Sequence, residues 1–216
     1  PYYAPKHNFN EPGMRYGYKL NPESPHTQRW IKDVMSYWIN EYKVDGFRLD
    51  LSKGFTNKEY APGDWGSAYN QERIDRLTDY ANYVFANHGN DIAFTIEHLA
   101  DNSEELVLAD NGLMPWGNIN YNYAEAAMGN HESGKSNLGK AYYKTRGWSK
   151  KNLVSYMESH DEERVGYKAL TEAGQTQGNL AKVLQRFPAM GAVHHLVPGP
   201  KMIWHFADLG NTASLW

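Results

Sequence analysis

Val44-Asp45-Gly46-Phe47-Arg48-Leu49-Asp50-Leu51-Ser52-Lys53 is the stretch on which the fold turns. A short apolar run ends in an Arg and an Asp two residues apart. Residues i and i+2 of a β-strand project to the same face. Arg48 and Asp50 should therefore leave one strand together. A neighbouring cation favours the ionised form of a carboxylate, as a nucleophile or charge stabiliser requires. A structural ion pair at a strand end would give the same local pattern.

The surrounding sequence sets this strand in an alternating series. Upstream, Trp30, Ile31, Val34, Met35, Trp38 and Ile39 recur at helical spacing and predict an amphipathic helix over 28–42. Downstream come a Gly/Pro loop over 52–68, a helix over 71–87 and the apolar strand Ile92-Ala93-Phe94-Thr95-Ile96, which ends at Glu97. A continuous apolar run of that kind suits a strand covered on both faces. A short helix over 103–109, a weak strand over 112–114 and a helix around 124–128 follow. Residues 129–150 read as loop with part of a helix. Asn152–Met157 is a strand leading to His160-Asp161. A helix over 177–196 should kink or split at Pro188. The last strand covers 201–206. Residues 1–27, polar and rich in Pro, Asn and Tyr, read as a loop or the remnant of an upstream region.

Strand and helix alternate throughout, which argues for a parallel sheet flanked by helices. An open doubly wound sheet and a closed (β/α)8 barrel compete. No glycine-rich phosphate turn follows a strand, which weakens the dinucleotide-binding version of the first. Asp50, Glu97 and Asp161 all fall near carboxyl ends of strands, and in a barrel those ends share one face. If the three converge, like charges push at least one pKa upward. Glu97 follows the most apolar strand without an adjacent Arg, so it is the expected protonated member and Asp50 the ionised one. An acid and a carboxylate roughly 5–5.5 Å apart are the parts of a retaining glycosidase. A solvated strand end for Glu97 and a capping role for His160 are the plain alternatives.

Composition narrows the partners. A net charge of −3 with no Lys/Arg-rich run disfavours nucleic acid and anionic membrane surfaces. No apolar run is long enough to span a bilayer. With no cysteine, disulfides, thiolate catalysis and Cys-based zinc drop out. Many of the 16 Tyr and 7 Trp sit in polar, Gly/Pro/Asn-rich stretches such as Ala61–Gly66 and Pro115–Asn118, and rings on such loops suit flat ligands with one apolar face. Trp65, Trp116 and Tyr121 are the candidates for sugar stacking.

Four motifs then carry a resemblance. Gly46-Phe47-Arg48-Leu49-Asp50-Leu51-Ser52-Lys53 resembles the second conserved region of the α-amylase family of glycoside hydrolases, G-F-R-x-D-x-x-K-H. Ile96-Glu97-His98-Leu99-Ala100-Asp101 resembles the third region, and Met157-Glu158-Ser159-His160-Asp161 the fourth. Pro198–Trp204 is similar to the segment entering the last barrel strand. The order matches, with 47 residues from 50 to 97 and 64 from 97 to 161. The resemblance implies a (β/α)8 barrel in which residues 28–216 supply the fourth to eighth strands. It implies a retaining hydrolase of α-1,4- or α-1,6-glucans such as starch, glycogen and maltooligosaccharides. Asp50 would be the nucleophile, Glu97 the general acid/base and Asp161 the transition-state stabiliser. Arg48 would position Asp50, His160 would bind the sugar being cleaved, and Lys53 would lie toward the leaving-group side.

Two departures qualify that picture. Gly54 stands where the family usually has a His, whose carbonyl in many members binds a structural calcium. No cofactor is therefore firmly implied, although calcium in the full-length protein stays open. The first conserved region, D-x-x-x-N-H, is absent, and the chain opens at Pro1. The expectation is a piece of a longer protein, since a complete barrel takes about 250 residues. Such a piece would leave sheet edges and core exposed and favour self-association. A transglycosylase or branching enzyme of the same family, and a glucan-binding fragment without catalysis, are the alternative functions, and the piece on its own is expected to be inactive or only weakly active. Location is unknown, and the resemblance admits secretion or a periplasmic site. His194-His195 reads as packing near a helix end rather than a metal pair. The acids Glu162 and Glu163, with Arg164, would open a helix rather than bind a divalent cation. Asp208 is a weak candidate for substrate contact.

Overall fold

The structure is a computed structural model that describes residues 1–10, 15 and 17–216. Residues 11–14 and 16 of the expected leading loop lie outside the described residues. The chain forms two compact units, Pro1–Pro115 and Trp116–Trp216.

In the first unit α1 (Pro25–Tyr42) starts three residues before the predicted helix, because Pro25 occupies the first turn, where a missing N–H costs nothing. It stops at Lys43, in the left-handed conformation. Then come β1 (Gly46–Leu49), α2 (Gln71–His88), β2 (Ala93–Ile96) and α3 (Asn102–Asp110). Asn70 caps α2 by accepting from the Arg73 N–H, and Asp101 caps α3 by accepting from the Ser103 N–H. β1 and β2 pair in parallel with Gly46 opposite Ala93 and Arg48 opposite Thr95. A Cβ on Gly46 would sit 2.4 Å from the Ala93 carbonyl oxygen, so the pairing requires glycine there. Met35, Ile74, Leu77, Ala81, Val84, Phe94, Ile96, Leu108 and Leu113 form the core beneath these strands. Of the apolar face predicted for α1 only Met35 is buried. Trp30, Val34 and Trp38 are exposed and line an apolar hollow of about 370 Å³ with Val44, Phe47 and Leu49.

β3 (Met114–Asn118) pairs with β2 through Met114 and Pro115. It replaces the strand expected at 112–114 and takes in Pro115-Trp116-Gly117-Asn118, which the sequence reading treats as a loop. In the second unit the remainder of β3 pairs in parallel with β4 (Val154–Tyr156), and β4 with β5 (Lys201–Met202). α4 (Asn120–Met128), α5 (Val165–Thr171) and α6 (Leu180–Leu196) supply its helices. Short 3₁₀ turns occupy much of 132–146, where part of a helix was expected. α6 is continuous through Pro188. β5 is far shorter than the predicted 201–206, and Phe206 adopts a left-handed conformation that no extending strand accommodates. The core gathers Ile119, Tyr123, Ala127, Met128, Met157, Val165, Ala169, Val183 and Met190.

The four pairings between these strands are parallel, and the strands follow sequence order, β1-β2-β3-β4-β5. Each crossover carries helix, the connectivity of successive βα units. This is five strands of a (β/α)8 barrel. No helix among the described residues is long and apolar enough to cross a membrane.

Candidate active site

In the first unit the register does the positioning. Arg48 lies opposite Thr95. Asp50 and Glu97 each sit two residues further on, just past the ends of β1 and β2. The Arg48 guanidinium donates to both, reaching Asp50 Oδ1 at 2.8 Å and bonding Glu97 Oε2. Glu97 therefore has an arginine beside it after all, from the neighbouring strand rather than from its own. Its backbone is fixed at both ends: its N–H donates to the Leu49 carbonyl at 3.0 Å, and its carbonyl accepts from the Ser52 N–H at 2.9 Å.

The two carboxylates differ in surroundings. The Asp50 side chain is 74% exposed and that of Glu97 only 13%. Burial raises the Glu97 pKa, and contact with the Asp50 carboxyl raises it further. The Arg48 charge and the Leu51 N–H act the other way without cancelling the rise. Of the two, Glu97 is the covered carboxyl with the raised pKa and Asp50 the one open to solvent. Each strand is followed by a non-glycine residue with positive φ, Leu51 at 41° two residues past β1 and Leu99 at 50° three residues past β2. Left-handed backbone at leucine costs about 1–2 kcal/mol and is found where a structure forces a side chain into place.

Lys53 is buried, its amine 3.4 Å from Ser67 Oγ and 5.8 Å from the Trp65 ring centre. Burial, then the Arg73 charge, lowers its pKa. Trp65 is exposed and also packs against Phe9. The Gly54 carbonyl accepts from Lys19 Nζ at 3.2 Å and Asn8 Nδ2 at 3.4 Å. Two hydrogen-bond donors, one of them an ammonium, converge where the family resemblance would place a calcium ligand, and that set repels a metal cation.

The second unit holds the remaining candidates. Asp161 lies five residues beyond β4 rather than at its end. Its N–H donates to Ser159 Oγ at 3.1 Å, and the Ser159 hydroxyl in turn donates to Glu162. Glu162 also accepts from Asn118 at the end of β3, and burial raises its pKa. His160 Nε2 is 3.4 Å from Asp161 Oδ2, and its ring lies 5.9 Å from that of Trp204. Tyr121 is exposed on the first turn of α4. Trp116 does not fit the stacking role: it is inside β3, 6% exposed, with its ring edge-on to Tyr156. The Glu162–Arg164 run precedes α5, which starts at Val165. Buried Glu158 accepts the Val165 N–H at 2.8 Å, and Arg164 donates to it at 3.3 Å. His194 is buried in α6, and Asp208 lines a cavity of about 320 Å³ beside it. Among the described residues no group of three or more His, Asp or Glu could hold a metal.

Sequence reasoning missed the residues under the first-unit carboxylates: Ser52, His98, Glu104 and Arg73, all fully buried. The one local signal was Asp101-x-x-Glu104, the spacing of a helix cap and its third residue, which reads as capping. Ser159, Glu162 and Asn118 were missed in the same way.

Comparison with known proteins places these features in a family. Residues 13–214 match the family model described as "Alpha amylase, catalytic domain". A cyclomaltodextrinase of Geobacillus thermopakistaniensis is 47% identical over 34 residues, 16% of this chain and 6% of that protein. The intracellular maltogenic amylase of Bacillus subtilis (strain 168) is 44% identical over 34 residues, again 16% and 6%. The structure of a pullulanase from Anoxybacillus sp. LM18-11, complexed with maltotriose, superposes with a TM-score of 0.62 at 15% identity, covering 92% of this chain and 29% of that one. The chain thus spans less than a third of the solved relative it matches.

Proposed function

The chain belongs to the alpha-amylase family through its catalytic domain, and we propose that it carries the nucleophile and the acid/base of a retaining hydrolase of α-linked glucans. The observation that supports this most is the Asp50–Arg48–Glu97 arrangement: two carboxyls at the ends of adjacent parallel strands under one guanidinium, one exposed and one raised in pKa by burial.

In the first step an Asp50 oxygen attacks the anomeric carbon, while Glu97 gives its proton to the departing glycosidic oxygen. The bond from carbon to that oxygen breaks as the bond to Asp50 forms. In the second step Glu97, now ionised, takes a proton from water. The water oxygen displaces Asp50 and regenerates both carboxyls, so configuration is retained. Arg48 stabilises the ionised forms of both groups through its shared contact. Asp161 is assigned by its motif to stabilising positive charge on the ring, and His160 to holding a sugar hydroxyl. Lys53, Trp65 and Tyr121 are assigned to substrate contact. Trp116 is withdrawn from that set because its ring is covered. The glucan class rests on the family and on the maltotriose held by the pullulanase relative.

Product analysis tests this reading. Maltooligosaccharides incubated with the protein and followed by proton NMR should first release the α-anomer. First release of the β-anomer, or binding of maltoheptaose with no product, would contradict it. Longer or branched products would assign the second step to a sugar acceptor instead of water.

A further inference from the structure

Under the Asp50 and Glu97 backbones runs a buried chain of polar groups. The Arg73 side chain, from the first turn of α2, donates through Nε to Glu104 Oε1 at 2.6 Å and through Nη2 to Oε2 at 2.7 Å. Its Nη1 donates to the carbonyls of Lys53 and Gly66, both at 2.8 Å. Glu104 also accepts the Asn70 N–H at 2.9 Å and faces His98 Nε2 at 2.7 Å. The other ring nitrogen, His98 Nδ1, is 2.9 Å from Ser52 Oγ, which lies 3.1 Å from the Glu97 carbonyl. The Ser52 N–H reaches the same carbonyl.

The proton arrangement follows from the partners. Burial alone would raise Glu104, but the hydrogen bonds from His98 and Arg73 outweigh it and hold the carboxyl below its usual range. An ionised carboxylate only accepts, so His98 must carry its hydrogen on Nε2. Burial, helped by the Arg73 and Lys53 charges, lowers the His98 pKa against the pull of Glu104, leaving the ring neutral. Nδ1 is then an acceptor, and the single Ser52 hydroxyl hydrogen is shared between it at 2.9 Å and the Glu97 carbonyl at 3.1 Å. One end of the chain is an ion pair, and the other is the turn that follows Asp50, clamped to the residue that bears the acid.

We propose that Arg73, Glu104, His98 and Ser52 form a positioning relay that sets the spacing between Asp50 and Glu97, with His98 as the link that orients Ser52. These are positioning residues, and the inference rests on the catalytic reading given to Asp50 and Glu97. A carboxyl pair of this kind works only when its members are held to within a fraction of an ångström, which supporting shells of locked side chains achieve. The charged groups facing Glu97 in the first unit are Arg48, Asp50 and Lys53. Loosening the turn at Ser52 moves Asp50 away from Glu97 and admits water, and both changes remove causes that raise the Glu97 pKa.

The test compares Ser52→Ala, which deletes only the hydroxyl, with Ser52→Thr, which keeps it, and with His98→Gln. In Ser52→Ala, kcat should fall about tenfold with KM within about twofold, the pattern of a lost positioning contact. The alkaline limb of kcat/KM should move to lower pH, and Ser52→Thr should restore it. A purely structural role would lower the folded fraction by circular dichroism and leave the limb unmoved, which would overturn the proposal. Carbon-13 NMR titration of the Glu97 carboxyl without substrate decides independently of activity. A lower midpoint in Ser52→Ala and His98→Gln supports the relay, and an unchanged midpoint overturns it. A lowered midpoint in a protein inactive on every glucan would keep the relay and refute the catalytic reading instead.

Discussion

Replacing His194 by leucine should flatten part of the acid sensitivity of this protein. His194 is 1% exposed in the last turn of α6, and neither ring nitrogen has a hydrogen-bond partner among the described residues. Burial, followed by the positive charges of His195 and Lys201, lowers its pKa from 6.5 to about 4. Between those values the unfolded chain binds a proton and the folded protein does not. Stability is therefore fully present above pH 6.5 and lost as pH falls toward about 4. Integrated over that interval, the loss is at most about 3 kcal/mol. Leucine does not titrate, so the wild-type advantage over His194→Leu should shrink by that amount across the same interval. Any pH-independent difference, such as the lost contact with the Tyr123 ring, cancels. Urea unfolding followed by tryptophan fluorescence at both ends of the interval reads this double difference. Parallel decline of the two proteins would refute the reasoning and mean that the ring finds a partner or solvent when protonated.

Three further outcomes follow from single features. Gly46→Ala should cost about 1–3 kcal/mol by thermal melting and depress activity, because its Cβ would meet the Ala93 carbonyl oxygen at 2.4 Å on the strand that carries Arg48 toward Glu97. Leu77→Ala, at a fully buried position beneath β1 and β2, should cost about 2–5 kcal/mol in the same assay. An excess of EDTA should leave melting and activity unchanged, since Lys19 and Asn8 already satisfy the Gly54 carbonyl. A drop restored by calcium would contradict that.

The parts of this chain legible in its sequence are those set by local rules. The helical spacing of α1 and α2 and the two strands before Asp50 and Glu97 depend on neighbours a few residues apart, and they fall where the pattern places them. β3 was misplaced because Pro115 and Gly117 carry the signature of a turn. Pro115 lies opposite Ile96 of β2, and the pairing with β4 begins only at Trp116. A parallel ladder bonds alternate residues to each neighbour, so it can pass a residue lacking an N–H. α6 runs on past Pro188 because the lost bond frees only one carbonyl, and the packing of Val183 and Met190 on either side holds the helix. The Arg48–Glu97 contact was out of reach, since it depends on the β1–β2 register rather than on adjacency along the chain. The relay beneath it joins Arg73 to Glu104 across 31 residues, and each of its members alone reads as an ordinary helix-start or strand-end residue. Trp116 shows the opposite error: an aromatic between Pro and Gly looks like a loop ring and is in fact a covered strand residue.

The proposed glucan hydrolysis depends on Glu97 as its acid/base. Reducing-sugar release from soluble starch, glycogen and pullulan by the protein and by its Glu97→Gln variant, both checked for folding by circular dichroism, tests it most directly. The wild type should release sugar, and the variant should lose about a hundredfold to ten-thousandfold in rate, the usual contribution of a general acid. Equal rates in the two proteins, or no release from any of the three substrates, would contradict it.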